Sequence, residues 1–530
     1  MIVNNVKVEI NSNVILDNVT FKLNDGDKIG LVGKNGSGKS TLLKTIYNNK
    51  ENIKTDGETI GFLKQEIEER YYEYSIIEYI KETTNIKELE SRLDRLSMDL
   101  TEDKMEEYTI VYNEFLTLDG YNFESNLEII KNGLNLHETL DTKIKTLSGG
   151  ERIKVLLIEL LILNRDILLL DEPTNNLDTE AITWLEKYLK QSNKKIIIVS
   201  HDEAFLNNIV NKIFELSNGK IKEYNMTYNN YLIAKENEYN REKEEYYKTK
   251  EEKDKLKSEL EKAKRWANSG NNKKAHNDND KIANNYAKER TSTSNIKRIT
   301  RNLDKLNITK FEEKKPIDVF FRLDDNKGNK DIVLNKVICG YETFKTTLID
   351  ITIPYGVKLQ IKGFNGSGKT TLIKTILGEI KPISGFINVG SKVKMGYISQ
   401  NTLLEENKSV IEYLTENMID VNYPFVFALL EKLSISYEDK DKIYSELSPG
   451  ERTRVAIAKL AILKTNVLIL DEVTNHLDKE ALDLIYELIS SYEGTIISIS
   501  HNRKYNEILD ADIALDMSTG IAKNLKLIKK

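Results

Sequence analysis

A single cysteine, Cys339, stands in 530 residues, so no disulfide can form within the chain. Its place in the strand-like stretch Val333 to Tyr341 reads as a small buried hydrophobe rather than a reactive thiol. No run approaches the roughly 18 apolar residues that a membrane-crossing helix needs. The opening residues Met1 to Asn5 lack the basic flank and apolar core of a secretory signal, so a cytoplasmic protein with no membrane partner is expected. Positive charge is not in excess either: 78 Lys and Arg against 84 Asp and Glu give a net charge of −6, which excludes a protein basic throughout but not a local basic block. At 39% apolar, a chain of this length can bury more than one core.

What the chain does have is one set of motifs written twice. Gly33, Lys34, Asn35, Gly36, Ser37, Gly38, Lys39 and Ser40 return 330 residues later as Gly363, Phe364, Asn365, Gly366, Ser367, Gly368, Lys369 and Thr370. Leu147, Ser148, Gly149, Gly150, Glu151 and Arg152 return 300 residues later as Leu447, Ser448, Pro449, Gly450, Glu451 and Arg452. Asp171 and Glu172 recur as Asp471 and Glu472, and His201 as His501, at that same spacing of 300. A repeat of this length means two similar domains.

Each copy of the first motif follows an apolar strand (Lys28 to Val32, Val357 to Ile361) and opens a helix-like run, the context of a phosphate loop. Its glycines can take positive φ and let backbone N–H groups converge on phosphate oxygens at a helix N-terminus. Lys39 and Lys369 add a point charge, Ser40 and Thr370 offer hydroxyls to Mg²⁺, and Thr41 and Thr371 complete the nucleotide-binding set. The apolar runs ending in Asp171-Glu172 and Asp471-Glu472 read as buried parallel strands, which deliver their carboxylates to the edge where ligands of α/β sheets sit. The aspartates then suit Mg²⁺, and the glutamates suit orienting or deprotonating a water. His201 and His501 follow a further apolar strand in each half and can donate to a γ-phosphate. Serine followed by glycines at a helix start, as at Ser148, aims a hydroxyl and free N–H groups at an anion.

In this order, with Gln65 and Gln400 ahead of the signature and Asp178 and Asp478 after the acids, the chain resembles the ATP-binding cassette family over about 430 residues. The resemblance implies an ATP hydrolase with two ATP and two Mg²⁺, Gln65 and Gln400 joining the metal set. It also implies a monomer whose cassettes pair head to tail: Ser448 and Gly450 complete the site of Lys39, while Ser148, Gly149 and Gly150 complete that of Lys369. Three positions depart from the pattern. Pro449 removes one signature N–H but suits a first helical turn. Val473 stands where the first half has Pro173, and Tyr341 sits where such cassettes stack adenine, whereas residues 4 to 18 hold no aromatic.

The halves differ in length. The offset is 335 from Gln65 to Gln400 and 300 from Ser148 to Ser448, so the first half carries 35 extra residues, assigned to two short amphipathic helices within Asn85 to Leu118 that turn near Thr101. Between the cassettes, Tyr231 to Ala267 spaces Leu232, Tyr239, Tyr246, Leu256, Leu260 and Ala263 near a seven-residue rhythm, answered by Ile282, Tyr286, Thr293, Ile296, Leu303 and Leu306. An antiparallel helical hairpin with a turn from Asn268 is expected, its arms of roughly 35 residues reaching about 50 Å. From Lys262 to Arg301 there are eleven Lys or Arg against three Asp or Glu, a basic tip suited to phosphate backbone, with Trp266 and His276 available for stacking on bases.

The expected fold class is therefore α/β: two tandem P-loop cassettes (residues 1–230 and 316–530), a helical arm in the first, and a helical linker (231–315) between them. Arm and linker together resemble the ABC-F subfamily. That resemblance implies binding at the ribosomal tRNA exit site in the ATP-bound state, contacts to large-subunit rRNA and P-site tRNA, and release on hydrolysis. The long linker resembles the antibiotic-resistance members; a housekeeping translation factor and the ATPase subunit of a membrane exporter stay open as alternatives.

Overall fold

The computed structural model describes residues 1–10, 13–34, 36–48, 52–98, 101–270, 294–304, 329–341, 344–399, 408–416, 418, 421–433, 435–474, 477 and 479–525. The chain divides into two compact units, Met1–Tyr228 with Ile317–Lys530, and Asn229–Pro316.

The first unit holds two copies of one architecture. In the first cassette a six-stranded sheet runs in the order Ile60–Phe62, Ile167–Asp171, Lys195–Val199, Lys28–Val32, Lys212–Ser217 and Lys220–Tyr224. All neighbours are parallel except the last pair. The second repeats it with Met395–Ser399, Val467–Asp471, Thr495–Ile499, Lys358–Lys362, Ile513–Asp516 and Ile521–Asn524. Every residue of Ile167–Asp171, Lys195–Val199, Val467–Asp471 and Thr495–Ile499 is buried, which explains their mostly apolar sequence with no polar alternation: strands covered on both faces have no solvent side to alternate with. A three-stranded antiparallel sheet covers one face of each cassette (Asn13–Lys22, Ile2–Ile10, Ile53–Lys54; Ile349–Ile353, Ile332–Ile338, Ser384–Val389). Matching cores, from Met1 to Leu216 and from Ile332 to Met517, fill the space between. Cys339 is fully buried in the second of them.

The extra residues of the first cassette lie at one point. Helices capped by Ser75 and Ser409 through identical capping boxes correspond, as do the helices beginning at Phe123 and Tyr423. Between them the first cassette has residues 84–122 and the second only 416–422. The surplus is a helical hairpin, Ile86–Met98 and Met105–Thr117, turning through Glu102–Lys104 and tied by Arg92 to Glu107 at 2.9 Å. Met98 at its tip is 87% exposed.

In the second unit one helix runs from Tyr228 to Gly270, 43 residues and so about 65 Å long. It begins at Tyr228 rather than Tyr231 and runs past Ala267 to Gly270, because Asn and Ser at 268 and 269 cost a helix only a few tenths of a kcal/mol each and do not end it. From Tyr239 onward its less exposed positions, Tyr239, Lys243, Tyr246, Thr249, Lys253, Leu256, Leu260 and Ala263, recur every three or four residues, the seam of a helix with one partner face. Residues 294–304 are helical too, with Ile296, Ile299 and Leu303 on the same spacing. The tip from 271 to 293, with Lys273, Lys274, His276, Ile282 and Tyr286, lies outside the described residues, as does the Trp266 side chain.

Candidate nucleotide sites

Each phosphate loop joins the C-terminal end of a central strand to a helix beginning at its lysine, Lys39–Tyr47 and Lys369–Ile376. Gly38 and Gly368 carry that junction in the left-handed region (φ 98° and 89°), where a β-carbon would come within 2.6 Å of Ile15 Cγ2 or Thr346 Cγ2. Only glycine lets the backbone turn there. Both lysines are buried and fold back over their loops: Lys39 Nζ donates to the Gly33 and Lys34 carbonyls at 2.8 and 3.1 Å, Lys369 Nζ to those of Gly363 and Phe364 at 2.9 and 3.1 Å. Ser37 Oγ and Ser367 Oγ are buried inside the loops without a hydrogen-bond partner.

The paired acids end the neighbouring buried strands. Glu172 and Glu472 both sit at φ 51°, a conformation non-glycine residues rarely adopt. Each is held there by its own N–H, which donates to the last carbonyl of the adjacent strand, Val199 at 2.8 Å and Ile499 at 2.9 Å. The acid before Pro173 and the acid before Val473 thus share one backbone conformation, and Thr174–Ser200 and Thr474–Ser500 hydroxyl pairs (3.2 and 3.3 Å) recur beside them. Burial and the adjacent carboxylate push one acid of each pair upward, Glu172 to about 8 through Asp171 and Asp471 to about 6 through Glu472, since two neighbouring carboxylates in a low-dielectric crevice resist joint ionisation. His201 Nε2 lies 3.4 Å from Glu172 Oε1, and His501 Nε2 3.9 Å from Glu472 Oε1. Burial and Lys369 hold His501 down at about 4, so it is a neutral imidazole near pH 7.

Around the aspartates the two sites differ. Gln65 Nε2 reaches Asp171 Oδ2 at 3.5 Å. In the second cassette Tyr397 OH donates to Asp471 Oδ2 at 3.4 Å. Tyr397 was not singled out from sequence; strand register was the available signal, since Ser399 pairs with Asp471 and Tyr397 with Ile469. The first cassette has Phe62 at that place, stacked on Tyr47. Tyr341, in a short hairpin with Phe344–Lys345, is 51% exposed.

Both signature helices, Gly149–Ile162 and Pro449–Leu463, are capped by their serines, Ser148 and Ser448, each in a capping box with Glu151 or Glu451. Pro449 occupies the first turn, where a missing N–H breaks no helical bond. The first signature faces the second phosphate loop. Asn365 Nδ2 donates to the Asn176 carbonyl at 2.7 Å, a β-carbon on Gly150 would stand 3.3 Å from Asn365 Nδ2, and His137 meets Phe364 edge to face at 5.3 Å. Behind this contact Lys154, one turn into the signature helix, pairs at 2.9 Å with Asp178, which caps Thr179–Gln191. In the opposite half Asn35, Gln400 and Asp478 lie outside the described residues.

These residues fit a nucleoside triphosphate with Mg²⁺. The orphaned Ser37 and Ser367 hydroxyls, the loop lysines, and buried Glu172 Oε1 and His501 Nε2 are polar groups that phosphates and a water would satisfy. Hydroxyl and carboxylate oxygens beside them suit a hard cation.

Fold and site thus define a pair of nucleotide-hydrolysing cassettes, and the chain belongs to the ATP-binding cassette family. The profile described as "ABC transporter" matches residues 16–175 and 347–475. The chain is 32% identical to the ATP-binding protein Uup of Buchnera aphidicola over 511 residues, 95% of this chain and 78% of that protein. It is 30% identical to Uup of Escherichia coli K12 (93% and 76% covered) and 28% identical to ABC transporter F family member 5 of Arabidopsis thaliana (98% and 77%). Among solved structures it matches the RNase-L Inhibitor (TM-score 0.57, 19% identity, 97% and 87% covered) and an archaeal ribosome recycling factor in complex with a ribosomal stalk protein (TM-score 0.56, 19% identity, 97% and 86%), likenesses of fold. Within the family it is an ABC-F protein, and it is an ATP hydrolase. Among the described residues no helix is long and apolar enough to cross a membrane.

Proposed function

We propose that this chain is a ribosome-binding ABC-F ATPase that docks at the tRNA exit site when ATP closes its cassettes, and extends its linker toward the peptidyl-transferase centre to protect it from antibiotics. The observation that carries this reading is the 43-residue polar helix Tyr228–Gly270, placed between two cassettes that both retain loop lysine, paired acids and histidine. A helix about 65 Å long spends its length reaching for something large, and the sequence beyond it is strongly basic, which suits rRNA and P-site tRNA. Two ATP bind, each with one Mg²⁺, which supplies neutralisation of phosphate charge. Lys39 and Lys369 hold phosphates. Ser40, Gln65 and Asp171, with Thr370, Gln400 and Asp471, hold the metals. Glu172 and Glu472, fixed by their strained backbones, orient water and take its proton, while His201 and His501 steady the γ-phosphate and Tyr341 stacks one adenine.

The test is co-sedimentation of Glu172→Gln/Glu472→Gln protein with ribosomes and with membranes in the presence of ATP. Trapping on ribosomes is expected, and recovery with membranes alone refutes the reading. Charge reversal at Lys273, Lys274, Lys281 and Arg290 should weaken binding and flatten its salt dependence. For the drug-protection part, deletion of the gene should lower tolerance to inhibitors of the peptidyl-transferase centre; altered translation with unchanged tolerance identifies a housekeeping factor instead.

A further inference from the structure

Beside the histidine loops the two cassettes meet along a charged seam that no nucleotide-site motif includes. Arg503 donates to Glu186 Oε1 at 2.8 Å and to Thr183 Oγ1 at 3.1 Å. Lys504 Nζ reaches Glu203 Oε2 at 2.8 Å, and Lys479 Nζ lies 3.5 Å from Oε1 of the same carboxylate. Both acids come from the first cassette, on helices Thr179–Gln191 and Glu203–Ile209, and all three bases from the second, on Lys479–Ser491 and Arg503–Leu509. Glu186 is only 8% exposed, so its pairing is little screened.

The repeat shows what this polarity does. The halves align without a gap from Asp171 to His201, so Glu203 corresponds to Arg503, Ala204 to Lys504, Glu186 to Tyr486 and Thr179 to Lys479. A first cassette set against another first cassette would bring Glu203 onto Glu186. A second set against a second would bring Lys504 and Lys479 onto Arg503. Only unlike halves satisfy the seam, and like charges opposed across an interface are a strong penalty. We propose that the seam is a pairing code: the acidic face of the first cassette is built for the basic face of the second cassette of the same chain and rejects like-half pairing with a second copy.

Three full-length variants test this: Glu186→Lys/Glu203→Lys, Arg503→Glu/Lys504→Glu, and all four together. Each carries spin labels at Lys22→Cys and Lys523→Cys, is checked for folding by circular dichroism, and is weighed by light scattering. Wild type should give one narrow distance and a monomer mass. Each double variant should broaden the distance and lose about tenfold in ATP turnover, the quadruple variant should recover most of both, because the Lys479 it leaves unchanged is more than half exposed and its repulsion screened, and an equimolar mixture of the two double variants should form a 1:1 heterodimer. Wild-type distance and turnover in either double variant, no recovery in the quadruple, or a mixture that stays monomeric would overturn the proposal. Recovery in the quadruple separates loss of pairing from loss of folding.

Discussion

Replacing Lys154 by Met should cost the first cassette about 3 kcal/mol, the lower end of the range for removing one partner of a buried ion pair. The side chains of Lys154 and Asp178 are 3% and 6% exposed and their charged atoms are 2.9 Å apart, so the aspartate left behind keeps almost no water. For a domain of this size, 3 kcal/mol lowers the unfolding midpoint of the first cassette by roughly 6–12 °C, read by differential scanning calorimetry of the full chain. Asp178 is held below the ordinary carboxylate range by its bond from the Ala181 N–H and by Lys154, against the cost of burial. Its contribution is therefore present above the unfolded pKa and is lost as pH falls through the lower folded value. In the variant the carboxyl rises and protonates sooner, so the gap to wild type should narrow as pH falls from neutral toward the ordinary carboxylate range. Lys154→Met/Asp178→Asn should regain most of the loss, because Asn still caps the helix and no charge is stranded. The reasoning fails if Lys154→Met melts within about 1 °C of wild type, or if the double variant is no better than the single.

Three further outcomes are expected. Gly38→Ala and Gly368→Ala force a β-carbon to 2.6 Å from a side chain at a left-handed position, and should abolish nucleotide binding at the altered site, measured with a fluorescent ATP analogue. Tyr397→Phe removes the phenol beside Asp471 and makes the second site like the first; Mn²⁺ affinity followed by paramagnetic resonance should fall about threefold at one site only, and equal loss at both would contradict the asymmetry. Glu172→Gln/Glu472→Gln should lower ATP turnover by about a hundredfold or more while ATP affinity is kept; turnover at the wild-type rate would remove both glutamates from the mechanism.

Much of the fold was legible because its signals are local. Four apolar residues before Asp171 define a strand buried on both faces, and the 335 and 300 offsets locate the arm hairpin that the structure places within residues 84–122. What stayed hidden depends on which surfaces meet. Lys154 reads in sequence as one more helix lysine, and nothing local marks Asp178 as its partner. Arg503 and Glu203 read as solvated helix charges until the cassettes are set against each other. The helix end was misplaced for the opposite reason: Asn268 and Ser269 are turn formers in isolation, yet a long helix with a partner face runs through them to Gly270.

The most direct measurement is a cryo-EM map of Glu172→Gln/Glu472→Gln protein trapped with ATP on ribosomes. The account predicts density at the tRNA exit site with both cassettes closed, the Tyr228–Gly270 helix directed toward the peptidyl-transferase centre, and the basic tip against rRNA or P-site tRNA. Ribosomes without bound protein, or a linker pointing away from that centre, would contradict it.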